Sequence, residues 1–238
     1  LVALATLSIV VKPVGLILLP ALALNRRAAE AVFVAALVAA LALPHFALHR
    51  GEWAAFLDAN LGPRTAGWVV HAGDQGLSGL VAALAARTSG IATATLADRA
   101  ALPAAWRAVL ALLPLALAAV AAWVTWRARG RIGVALFAWS AVYLLGLPDV
   151  WEHSYSILVV TLGLLWAEEW LPDRVVLGCA IALALPTAFA LYDVALPPGG
   201  NDPEHHWGLA VSLLHHATRP ALLLGLFAAV VARAAGPR

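Results

Sequence analysis

Residues 104–126 read AAWRAVLALLPLALAAVAAWVTW and are followed at once by Arg127-Ala128-Arg129-Gly130-Arg131. An α-helix rises 1.5 Å per residue, so about 20 apolar residues cross a hydrocarbon core of roughly 30 Å, and short basic loops mark the cytoplasmic side. Runs of the same kind lie on both sides of this one. Upstream are Leu1 to Leu24 and Ala28 to Leu48; downstream are Ile132 to Leu147, Val150 to Ala167, Val175 to Val194 and Leu209 to Val231. The expected fold class is all-α, a polytopic transmembrane helix bundle of about seven spans forming a single domain over residues 1–238.

Composition supports the same reading. Of 238 residues 63% are apolar and 12% charged, with a mean hydropathy of +0.89, whereas soluble chains carry about 25% charged residues. The net charge of +2 does not point to nucleic acid, because the arginines sit singly or in small groups beside apolar runs, as topology signals do. Cys179 stands alone inside an apolar run, so no disulfide framework or metal-ligand spacing exists. The chain contains no Met, and we expect it to be the C-terminal part of a longer protein.

Between the second and third runs, residues 49–102 mix charges, glycines, prolines and tryptophans and form the one long extramembrane stretch. Inside it residues 76–87 read as a short helix with Leu77, Leu80, Val81 and Leu84 at i, i+3, i+4 and i+7. That helix is too short to span and is expected at the interface or in a re-entrant position. If Arg26-Arg27, Arg127 to Arg131, Arg233 and Arg238 are cytoplasmic, parity places outside the loop 49–102, the turn around Pro148 to His153, and Ala195 to Gly208. The loop with Glu168, Glu169, Asp173 and Arg174 then falls inside, although it is acidic. Tryptophans near span ends read as interfacial anchors.

Several polar groups sit where a plain anchor needs none. Lys12, followed by Pro13, lies near the middle of the first run, and an intramembrane cation is costly enough to be a functional candidate. Ser212, His215, His216 and Arg219 recur at i, i+3, i+4 and i+7 on one helix face, and Pro220 frees the carbonyl of His216. A cationic stripe at a kinked helix suits a phosphate group. The alternative is an amphipathic helix, Glu204 to Thr218, lying on the outer surface with Lys12 snorkelling. The turn Leu147-Pro148-Asp149-Val150-Trp151-Glu152-His153-Ser154-Tyr155 gathers two acids, an imidazole, an indole and a phenol. Glu152 and His153 can supply acid, base or hydrogen bonds, and Trp151 and Tyr155 offer flat faces for a sugar ring; a helix cap at Asp149 with interfacial aromatics is the plainer reading. Asp74-Gln75-Gly76-Leu77-Ser78 reads either as a helix start or as a polar-headgroup contact. His205-His206, with Glu204 and Asp202, share no helix face and make a poor metal site.

Taken in order, these features resemble the C-terminal portion of glycosyltransferase family 87, the GT-C-type membrane mannosyltransferases that use polyprenyl-phosphate mannose. The match rests on Lys12-Pro13 in a run ending at Arg26-Arg27, an aromatic outer loop, Asp74-Gln75-Gly76-Leu77-Ser78 against the family's Asn-Gln-Ser-Leu pattern, and Leu147 to Tyr155 against its Ser-Pro-x-Ser-Trp-x-His-His pattern. It covers roughly Leu1 to Leu165. Asp74 replaces the usual Asn, Ser154 a second His, and Leu147 and Val150 replace serines. The family's catalytic Asp belongs to the first outer loop and is expected upstream of Leu1.

The resemblance implies transfer of a hexose, most simply mannose, from a lipid phosphate to a glycolipid or glycan acceptor on the extracytoplasmic face of the plasma (inner) membrane. His153 and Glu152 are the implied catalytic residues; Lys12, Arg219 and His216 the donor-phosphate ligands; Trp151, Tyr155, Asp74 and Gln75 the substrate contacts. No cofactor is expected, the lipid-linked sugar being a substrate, and membrane lipids are the other partners. Two other readings use the same cations without bond formation or not at all: a transporter or flippase for a lipid-linked or anionic substrate, in many of which inverted repeats occur and none is found here, and a non-catalytic membrane scaffold.

Overall fold

A computed structural model describes residues 2, 5, 6, 9, 13–49, 51–55, 74–90, 101–147, 150, 152–184 and 209–236 of the protein. Among these the secondary structure is helical and contains no strand. In chain order a 3-10 turn, Pro13–Ile17, leads into α1 (Leu18–Leu24); α2 is Ala28–Leu48, α3 Leu77–Thr88, α4 Ala104–Arg127 and α5 Ile132–Gly146. A second 3-10 turn, Glu152–Ser156, leads into α6 (Ile157–Ala167), followed by α7 (Asp173–Ala184) and α8 (Leu209–Ala235).

Among the described residues, three helices are long and apolar enough to cross a membrane: Ala28–Leu48, Ala104–Arg127 and the stretch Leu213–Ala235 of α8. The apolar helices 15–24, 77–88, 132–146 and 154–167 are shorter. Large apolar side chains are exposed along these elements, including Phe33 and Leu41 on α2, Leu112 and Leu115 on α4, and Val159 on α6. So many exposed large apolar side chains are disfavoured in water and fit hydrocarbon, and with the long apolar helices they mark a membrane-associated helical protein.

The core forms around α5. Its sequence is apolar on every side, the pattern of a helix enclosed by others, and every residue from Gly133 to Gly146 is buried. α1, α3, α4, α6 and α8 all pack on it. Gly133 lets α6 close in, since a Cβ there would lie 2.9 Å from the Leu164 backbone. Trp139, buried among these helices, donates its indole N–H to Thr125 on α4 (3.1 Å).

One end of the bundle collects several chain reversals. The Asn25 side chain accepts the Gly130 N–H at 2.5 Å, joining the α1–α2 turn to the α4–α5 turn. Glu168, just past α6, accepts the N–H groups of Gly133 (2.8 Å) and Val134 (3.1 Å), and Arg131 donates to the Glu168 carbonyl (2.6 Å). Arg127 reaches the carbonyl of Ala234 at 3.0 Å near the end of α8. Glu168 thereby explains an acidic residue among basic turns: its charge is engaged at a helix N-terminus, where carboxylates are stabilised.

Two sequence expectations are narrowed. First, α3 was expected at the interface or in a re-entrant position, with its leucines along one face. In the structure Ala82, Ala83, Ala85 and Ala86 are buried and Leu84 is exposed. Small residues admit close helix approach where surrounding hydrocarbon gives large side chains no reason to turn inward. Packed on α4, α5 and α8, α3 is part of the bundle. Second, the surface-helix alternative for residues up to Thr218 does not hold, because α8 runs unbroken from Leu209 through Pro220 to Ala235 and turns His215, His216 and Arg219 inward. Lys12 and the sequence 185–208, including His205-His206, lie outside the described residues.

Candidate functional site

The α3 N-terminus supplies the centre of the site. Gly76 is extended just before the helix, which places Asp74 and Gln75 beneath the first turn. Asp74 is 1% exposed and Gln75 0%. Asp74 Oδ1 accepts the N–H of Gly76 (3.1 Å) and that of Val150 (3.2 Å). Its carboxylate lies so close over Gly79 that an added Cβ would fall 2.4 Å from its carbon; only glycine leaves that space. Gln75 N–H donates to the Val150 carbonyl at 2.7 Å. Two stretches 75 residues apart in sequence are therefore joined backbone to backbone at Val150, the head of the 150–155 segment.

Further bonds reinforce the junction. Tyr155 donates its hydroxyl to the Gln75 carbonyl (2.8 Å), and Ser78 donates to the Leu147 carbonyl (2.6 Å). The hydroxyls of Tyr143 and Ser154 pair at 3.0 Å. Buried groups must find such partners because a low-dielectric interior penalises unpaired ones.

α8 closes the cluster. His216 Nδ1 donates to the Asp74 carbonyl at 2.7 Å, which fixes a proton on Nδ1. The Gln75 amide bonds His215 Nε2, and the two imidazoles meet edge to face. One turn on, Arg219 is 8% exposed and lays its guanidinium over the Tyr155 ring, 5.4 Å from the centroid. Stacking of this kind holds the planar fork in one orientation.

Of the residues singled out in the sequence, Asp74, Gln75, Tyr155, His216 and Arg219 come together here. Glu152 and His153 belong to the 3-10 turn Glu152–Ser156, one to three residues from Ser154 and Tyr155, and only their backbone is described. Trp151 and Lys12 fall outside the described residues. The sequence reading underweighted His215, Ser78, Tyr143 and Ser154. Ser78 had a usable signal, as the last member of the polar stretch Asp74 to Ser78 that reads as a helix start.

Beside the cluster, α6, α7 and α8 enclose a cavity of about 670 Å³ whose lining runs from Tyr155 and Arg219 to Trp166 and Asp173. Between these ends the walls are mostly apolar. Among the described residues no group of three or more His, Cys, Asp or Glu is placed to hold a metal ion. No family model, curated protein or solved structure matches this chain.

Proposed function

We propose that this chain is the donor-holding part of a membrane glycosyltransferase of the GT-C type, with about seven spans, that transfers a hexose, most simply mannose, from a polyprenyl phosphate to an acceptor hydroxyl. The observation that carries the proposal is the meeting, in one buried cluster, of three stretches that the sequence reading singled out separately: 74–78, 147–155 and 215–219. A cap or an anchor gives no reason for such distant polar stretches to meet inside a bundle.

In the reaction the bond between the anomeric carbon and the lipid-phosphate oxygen breaks. A bond from the acceptor oxygen to that carbon forms, a general base takes the hydroxyl proton, and the lipid phosphate departs with its electron pair. Positive charge held near the departing phosphate lowers the barrier. Arg219 and His216 are the described candidates, joined by Lys12 and His153 from the sequence, with Glu152 beside them as a proton-transfer partner and Trp151 and Tyr155 as sugar platforms. Asp74 and Gln75 serve here by fixing the 150–155 segment. The site faces the extracytoplasmic side of the plasma membrane in this reading.

The test is hexose release from labelled polyprenyl-phosphate mannose by membranes carrying the full-length protein. His153→Ala is expected to abolish turnover at normal expression; wild-type turnover in that variant rejects the role of His153. A flippase uses the same cations, and donor movement across vesicles without hexose release would establish it instead.

A further inference from the structure

We propose that the cavity between α6, α7 and α8 binds a single-chain lipid phosphate, with the chain along α6 and the phosphate on Arg219; this rests on the donor reading above and assigns the donor's tail a place. Among the described lining residues one side chain is cationic, Arg219, at one end. At the other end Asp173 accepts the Trp166 indole N–H at 3.0 Å, so the acid there is engaged with a wall residue. Between them lie Val159, Leu162, Gly163, Leu177 and Ala180. The complementary ligand is apolar along its length and anionic at one tip.

The groove extends from Tyr155 to Trp166, about 16 Å at 1.5 Å per residue, roughly half a 30 Å hydrocarbon core. Such a length suits one chain entering from one leaflet. Leu162 forms the buried floor, while Val159 and Leu177 are exposed rims, so a chain can enter sideways from lipid. At 8% exposure Arg219 offers a narrow approach. A phosphate carried on one slim chain can present its two non-bridging oxygens to the fork, whereas a two-chain lipid brings a glycerol and a second acyl chain to the same narrow approach.

The experiment uses the full-length protein in phosphatidylcholine nanodiscs and farnesyl phosphate bearing a diazirine at the far end of its chain. Photolabelling is expected within residues 157–184, saturable, and competed by unlabelled farnesyl phosphate but not by farnesol, inorganic phosphate or phosphatidylglycerol. Arg219→Gln is expected to weaken labelling about tenfold, the effect of losing one charge-assisted contact. Gly163→Leu is the second variant, because a Cβ at Gly163 meets nothing within 4 Å and the larger side chain fills the groove without disturbing packing; it should block labelling. Labelling elsewhere, equal competition by farnesol or phosphatidylglycerol, or full labelling of Gly163→Leu would overturn the assignment. Labelling as expected without hexose transfer in the turnover assay would leave this site standing and reject the transferase reading; transfer with labelling elsewhere would do the opposite.

Discussion

Asp74 brings a carboxylate into a part of the bundle where it is 1% exposed, and its oxygen joins two backbone N–H groups, those of Gly76 and Val150, that would otherwise be buried without it. Removing the acceptor while leaving the donors costs about 1–3 kcal/mol for each stranded group. Asp74→Ala is therefore expected to lose about 2–6 kcal/mol of stability on that scale, read as a fall in the thermal midpoint of the detergent-solubilised protein. Asp74→Asn keeps an oxygen of the same reach and should lose much less, which separates hydrogen bonding from charge. Equal losses in the two variants would contradict the assignment of Oδ1 as the bridge. Glycine at position 79 belongs to the same arrangement, since any side chain there displaces the carboxylate.

At the scale of elements, α5 is stabilised from outside its own sequence. Its first N–H groups, on Gly133 and Val134, are satisfied by Glu168 from the far end of α6, a tertiary version of an N-cap. Glu168→Ala is expected to cost about 0.5–2 kcal/mol, as cap removals do, and to raise amide exchange at residues 133–136 ahead of the rest of the helix. Glu30 provides the comparison: its exposed ion pair with Arg27, at 3.1 Å, is worth at most about 1 kcal/mol, so Glu30→Ala should leave exchange in α5 unchanged. α8 illustrates the same dependence. Its polar face is tolerable in an apolar bundle because Asp74 and Gln75, just before α3, present a carbonyl and an amide to it and Tyr155 a ring.

For the whole molecule, contacts gather the α1–α2 turn, the α4–α5 turn, the end of α6 and the end of α8 at one end of the bundle. Under the proposed topology that end is cytoplasmic. With Cys179→Ala as background, Arg129→Cys and Arg174→Cys should react with a membrane-impermeant maleimide only after the vesicle interior is opened to it, and Glu52→Cys from the outside of whole cells. Labelling of all three from one side would reject the orientation drawn from the basic loops.

The sequence by itself determined the helical class, the membrane environment and most element bounds, because these follow from the length and composition of local runs. Ala28 to Leu48 is read from its apolar residues and its basic start, and the structure places α2 on the same residues. It also marked Asp74, Gln75, Tyr155, His216 and Arg219 as candidate site residues. What it did not contain was their meeting. That Asp74 bridges to Val150, that His216 is held by the Asp74 carbonyl, and that α3 buries alanines and leaves Leu84 exposed depend on contacts between distant segments. In hydrocarbon the size of a side chain no longer tells which face turns inward. Close packing and the pairing of buried polar groups decide it, and both are properties of the assembled bundle.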